Sequence, residues 1–344
     1  MFPFFGKNQG ILGINSRNLD YLFPNNPRRL YRLADSKLET KKMAHSLGVA
    51  VPETYGMITF QNEVKHLSNI VGARQSFVIK PARGSGGDGI LVITAVNDEG
   101  YHKASGSILK PDDLHYHLYN ILGGMFSLGG QGDVAIIEYA VQFDTVFDEI
   151  AYQGVPDIRV IVYQGVPTMA MLRLPTRLSD GKANLHRGGV GVGIDLATGK
   201  TLAGIQNNRY IDNHPETGYA LCDRTIPHWQ SILEMAAKLG DKTEFGYLGV
   251  DIVLDREKGP LLLEINARPG LSIQIANREG LIPRLNVIDC ALPKLSGIPE
   301  KIAFAQETLA SGKARLFLSS QLKNSINDLP KRNGNRQLLG EKIR

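Results

Sequence analysis

The sequence predicts an α+β fold with largely antiparallel sheets, and three observations carry that prediction. Strand-like runs at residues 158–163, 167–174 and 191–196 follow one another directly, separated only by Gly, Pro and Asp turns. Helical periodicity is confined to a few isolated stretches. The regular strand–helix–strand alternation of a doubly wound parallel sheet is missing.

Taken in order, residues 13–35 combine turn-forming Pro and Asn with a basic cluster at Arg28, Arg29 and Arg32. From Ser36 the pattern turns helical, and Gly48 closes it before the extended stretch at 49–54. Residues 77–80 read as a strand ended by Pro81, and residues 89–93 resume as a second strand beyond a glycine-rich loop. Residues 112–128 read as a helix and 134–139 as a short buried strand. A helix over about 228–240 places Trp229, Ile232, Leu233, Ala236 and Leu239 on one face. Two strands at 249–255 and 260–266 flank a charged turn, and no internal repeat is present.

The chain has 344 residues, enough to bury a substantial core. Its hydrophobic content of 42% beside 21% charged residues describes an ordinary globular protein. No apolar run reaches the roughly 18 residues that cross a bilayer, so membrane insertion is not expected. The N-terminus lacks a basic n-region and a long apolar core, so the expected location is cytoplasmic. Cys222 and Cys290 stand in unrelated contexts and read as two reduced thiols. The net charge is +5, yet residues 313–344 hold eight basic and two acidic residues. The excess therefore belongs to a solvated tail, and without interleaved aromatic residues it argues against nucleic acid.

Three constellations can do chemistry. Lys80 ends a strand before Gly84, Ser85, Gly86, Gly87 and Gly89, and such glycines let backbone N–H groups approach an anion. No Gly-Lys-Ser/Thr follows, so this is not a P-loop, and a glycine hairpin beside an exposed lysine fits the same residues. Next, Glu264 and Asn266 share a strand face two residues apart, and an antiparallel hairpin brings Asp251 to that face. Two carboxylates and an amide oxygen are hard ligands suited to Mg²⁺. Their apolar flanks make an unpaired, metal-free carboxylate costly. Last, Asn184, His186 and Arg187 precede two glycines, and Arg173 precedes them on a strand; guanidinium and amide groups can meet a transferring phosphoryl group there. His186 serves equally as a loop hydrogen-bonder, and Asp157 with Arg159 as a structural pair.

In this order the segments resemble the ATP-grasp superfamily, and within it the glutamate ligases that modify ribosomal protein tails. Residues 35–41 followed by 48–54 look like that family's opening helix and strand. The resemblance implies that Lys37 and Lys80 reach nucleotide phosphates, that the 84–89 loop closes over ATP, and that Glu138, Tyr139 and Val141 hold the adenine edge. It covers roughly residues 35–285 and is similar, more narrowly, to alpha-L-glutamate-ligase-like proteins. It implies two α+β lobes sandwiching ATP: a nucleotide lobe at about 50–140 and a metal lobe at about 141–300. A reduced segment, 1–34, stands where related ligases carry a whole domain. A C-terminal helix at 301–318 and a basic tail at 319–344 complete the expected organisation.

The expected activity is ATP-dependent amide formation with Mg²⁺, Mn²⁺ being the alternative ion. Its substrates are a small-molecule or peptide carboxylate and an amine, glutamate being suggested by resemblance alone. Arg187, Asn184 and Arg173 are expected to serve phosphoryl transfer, and Asp251, Glu264 and Asn266 to hold the metal. A small-molecule kinase on the same scaffold and a non-catalytic nucleotide-binding regulator are the alternatives.

Overall fold

The computed structural model describes residues 10–84, 86–127 and 129–314. The N-terminal nine residues, Ser85 and the basic tail lie outside the described residues. The small lobe carries strands β1 (Thr54–Ile58), β2 (Phe77–Pro81), β3 (Leu91–Asn97), β4 (Gly100–Lys103), β5 (Ile108–Leu109) and β6 (Ala135–Glu138). They form one sheet in the order β1-β6-β2-β3-β4-β5. The large lobe carries β7 (Asp157–Tyr163), β8 (Val166–Leu174), β9 (Val190–Ile194), β10 (Thr201–Gln206), β11 (Arg209–Ile211), β12 (Tyr247–Asp255) and β13 (Gly259–Asn266). Their order is β11-β10-β9-β8-β7-β12-β13. Every described pairing in both sheets is antiparallel, so the predicted fold class holds.

Local chemistry explains the main helices. Helix α1 (Lys37–Ser46) starts where the Ser36 side chain accepts from the Glu39 backbone N–H, satisfying an orphan donor of the first turn. Helix α2 (Pro111–Leu122) opens on a proline already fixed at helical φ and stops at Leu122, short of the expected residue 128. Gly124 follows with φ +83°, a left-handed conformation that ends a right-handed helix. Helix α3 (Trp229–Lys242) buries the face read from the sequence. Each buried Leu or Ile there stabilises by roughly 1.5–3 kcal/mol. The sequence reading gave no helix at α4 (Leu281–Ala291). Helix α5 (Ile298–Thr308) begins at Pro299's turn, three residues before the expected start, and residues 315–318 of the expected helix lie outside the described residues.

Two apolar cores result. One fills the small lobe between its sheet and α2, with Ile58, Phe77, Ile79, Leu114 and Leu118. The larger one covers the seven-stranded sheet, with α3, α4 and α5. The chain crosses between them at residues 139–144. There Gln142 N–H donates to Asp255, Arg256 N–H to the Gln142 carbonyl, and Asp144 N–H to the Leu254 carbonyl. Among the described residues, no helix is long and apolar enough to cross a membrane.

Candidate active site

The hairpin β12–β13 places the three expected metal ligands together. Register sets Asp251 opposite Glu264 and Gly249 opposite Asn266, so all three side chains emerge on one face. Glu264 and Asn266 are half-buried, while Asp251 is 1% exposed. The hairpin turn is tied by Asp255, whose Oδ1 accepts from the Glu257 and Lys258 N–H groups.

The neighbouring strands determine what Asp251 meets. Arg159 on β7 stands opposite Asp251, and Arg173 on β8 stands opposite Asp157. Arg159 grips Asp251 with two bonds, Nε to Oδ1 at 2.7 Å and Nη2 to Oδ2 at 2.5 Å. Arg173 donates to Asp157 at 2.5 and 2.7 Å and to Asp251 Oδ2 at 2.8 Å. The expected Asp157–Arg159 pair is therefore replaced by a chain of four charges running across three strands. Burial works against the Asp251 anion, but Arg159 and Arg173 outweigh it and hold the carboxyl well below the usual carboxylate range. Burial pushes Asp157 up to about 7, which Arg173 only partly offsets and Asp251 reinforces. Arg173 itself is raised in spite of burial, because two carboxylates face it.

Two departures from the expected roles follow. Arg173 is not a free cation awaiting a phosphoryl group, since its guanidinium is spent on two buried acids. Glu138 is 3% exposed and turned toward lysines: Lys80 pairs with one oxygen and Lys41 lies 2.5 Å from the other. The latter meets its ammonium by charge, without an aligned hydrogen bond. Its carboxylate is thus not presented to an adenine. Lys41, given no role in the sequence reading, also donates to the Pro52 carbonyl at 2.6 Å and to Thr54 at 2.9 Å. Burial depresses the Lys41 ammonium, and the Glu138 charge opposes that shift.

Lys37 links the glycine loop to the hairpin: its Nζ donates to the Gly84 carbonyl at 2.6 Å and lies 3.8 Å from Glu264. Burial lowers its pKa, with Glu264 opposing. Asn184 caps a turn of helix at Leu185–Arg187 through a bond from His186 N–H to its side-chain oxygen. Arg187 reaches Asp88 in the glycine loop at 2.7 Å. Tyr139 lies under Lys258, 4.1 Å from ring centre to ammonium, and Val141 is half-buried beside it. Burial and a bond with Asp255 push the Tyr139 phenol up to about 12.

The residues fit a divalent cation in their chemistry: two carboxylates in register and an amide oxygen on one face. Among the described residues no group of three or more His, Cys, Asp or Glu gathers as a metal cluster. Both Asp251 oxygens already carry guanidinium bonds and Asn266 Oδ1 accepts from the Arg268 N–H, so Glu264 is the most available donor.

Comparison with known proteins bears on the same residues. The curated proteins contain no match. Among solved structures, the chain is similar to D-cycloserine synthetase DcsG, with 14% identity, a TM-score of 0.43, and coverage of 78% of this chain and 73% of that one. It is similar also to D-alanyl-alanine synthetase A from Vibrio cholerae, with 13% identity, a TM-score of 0.42, and coverage of 80% and 64%. The ATP-grasp ligase PsnB complexed with minimal precursor shows 12% identity, a TM-score of 0.42, and coverage of 78% and 64%. The chain thus spans 64% of the length of these last two. A family model described as sugar-transfer associated ATP-grasp matches residues 16–290. The hairpin, both lysine-bearing segments and the glycine loop all fall inside that match, and the chain belongs to this ATP-grasp family.

Proposed function

We propose that this protein is an ATP- and Mg²⁺-dependent ligase that joins a carboxylate to an amine through an acylphosphate. One observation supports the reading above others: Lys37 touches both the glycine loop and Glu264, coupling a phosphate-type loop to a hard-oxygen donor set. Bound at Glu264, Asn266 and Asp251, Mg²⁺ would neutralise charge on the β- and γ-phosphates. Lys37, Lys80 and Arg187 are the cations that would face the phosphate oxygens, and the glycine loop would supply N–H donors and exclude water. Arg173 and Arg159 instead fix Asp251 and keep its carboxylate ionised. The adenine edge would rest on Tyr139 and Val141, with Glu138 ordering the lysines from behind.

In the first step a substrate carboxylate oxygen attacks the γ-phosphorus, the bond to the β–γ bridging oxygen breaks, and ADP leaves. In the second the amine nitrogen attacks the acyl carbon, phosphate departs, and the nitrogen loses a proton. A cavity of about 180 Å³ lined by Leu185, His186, Asn207 and Ser272 is where the amine acceptor would sit. We assign residues 50–140 to the nucleotide lobe and 141–300 to the metal lobe, with the cytoplasm as working location. Glutamate and, from the family's association with sugar transfer, amino sugars and sugar acids are the first substrates to assay.

The test is ADP release from Mg²⁺-ATP across amino acids, short peptides, amino sugars and sugar acids, with mass analysis of products. Glu264→Ala is expected to abolish turnover and leave the far-ultraviolet spectrum unchanged. Substantial amide formation by that variant, or a stable phosphorylated acceptor with no amine requirement, would overturn the assignment.

A further inference from the structure

Arg187 does not stand alone in the cleft. Its Nη2 donates to Asp88 Oδ2 at 2.7 Å, and Lys182 Nζ lies 3.5 Å from the other oxygen of the same carboxylate. Asp88 belongs to the loop between β2 and β3, whereas both cations belong to the segment between β8 and β9 of the other sheet. The contact therefore crosses from one lobe to the other.

The loop around Asp88 is seated there by more than charge. A Cβ at Gly87 would lie 3.4 Å from the Lys182 side chain, and one at Gly86 3.8 Å from the Asn184 amide, so backbone rides directly on the opposing segment. The near end of the loop is fixed to its own lobe. His117 meets the Gly89 carbonyl at 2.9 Å, and Asp133 accepts from the Arg83 N–H and the Ser127 hydroxyl. Phe126 occupies the space a Cβ at Gly89 would need, 2.6 Å away, where φ is +74°. The loop is thus held at its base by the small lobe and at its tip by the large one.

The energetics say what such a tip contact is for. Asp88 and Arg187 side chains are 46% and 42% exposed, and pairs this exposed add about 0–1 kcal/mol to folding. As a tie between two lobes the same pair biases an open–closed equilibrium directly. Only one of the guanidinium N–H groups is used on Asp88 among the described residues, so the rest of the fork stays available to an anion.

We propose that Asp88 is a positioning residue, a clasp that closes the glycine loop onto Arg187 and Lys182 and shields the phosphate site from water. The proposal rests on Arg187 facing phosphate, as in the proposed function, but the clasp itself is readable without nucleotide. Amide hydrogen exchange is measured on the full chain for Asp88→Asn. The expected result is faster exchange in residues 86–90 and 182–189 together, with the thermal midpoint unchanged. Adding Mg²⁺-ATP, the variant should bind several-fold more weakly and release more ADP per amide formed. The conservative variant Asp88→Glu should recover both, because a carboxylate again faces Arg187 and Lys182. Unchanged exchange in either segment for Asp88→Asn, or failure of Asp88→Glu to recover affinity while both variants fold, would overturn the clasp. If the wild type shows coupled exchange but binds no ATP, the ligase reading fails and the clasp stands.

Discussion

Each lobe contains a buried carboxylate held between two cations, and the two clusters behave differently. In the small lobe Glu138 sits between Lys41 and Lys80; in the large lobe Asp251 sits between Arg159 and Arg173. Lysine presents a compact ammonium whose pKa burial lowers, as at Lys41, where the Glu138 charge opposes the shift. Arginine presents a planar fork that stays charged, and the Asp251 carboxyl is held far down as a result. The small-lobe cluster is thus held by two separate ammonium groups, while the large-lobe cluster is a frame of guanidinium forks that keeps the Asp251 carboxylate ionised.

Breaking the rigid cluster should cost most. Arg159→Ala leaves a buried carboxylate with a single shared arginine and is expected to lower stability by about 3–5 kcal/mol in urea denaturation. A loss below ~1 kcal/mol would erase the contrast between the clusters. Glu138→Gln is expected to cost less, about 1–3 kcal/mol, because Lys41 can neutralise itself. The same variant should weaken ATP binding in a nucleotide titration, since the lysines lose the anion that orients them.

The smallest effect concerns protons. Burial lowers the His117 imidazole below its ordinary value, with the Gly89 carbonyl contact opposing, and burial likewise lowers His214. The unfolded chain therefore binds these protons more readily than the folded one. Their contribution is full above the ordinary imidazole pKa of ~6.5 and is lost as pH falls below it. Urea midpoints at about pH 7.5 and about pH 5.5 should differ less in His117→Gln than in the wild type.

Much of this was legible in the sequence where the information is local. Asp251, Glu264 and Asn266 were found because a period of two and a charged turn suffice to build a hairpin. Lys41 was missed because helix α1 carries Lys37, Lys41 and Lys42, and nothing in that helix says which one is buried. Its burial depends on Thr54 and Glu138, which arrive from strands far along the chain. The pairing of Arg159 with Asp251 was hidden for the same reason, since it requires β7 to lie between β8 and β12. Strands β4, β5 and β11 lie at or near sheet edges and are short, too short for alternation to mark them. Nothing in the sequence says what the long stretch after the glycine loop is for. Its Phe126, Ser127 and Asp133 prove to be the base on which the loop rests.

The crossing segment bears on how the molecule measures its substrate. Residues 142–144 are stitched to Leu254, Asp255 and Arg256 by three hydrogen bonds, just beyond Asp251 in the chain. In the proposed function, a base resting on Tyr139–Val141 would be gauged against the hairpin by this fixed length of backbone. The reach from base to hairpin would then be a property of chain connectivity rather than of how the cleft opens.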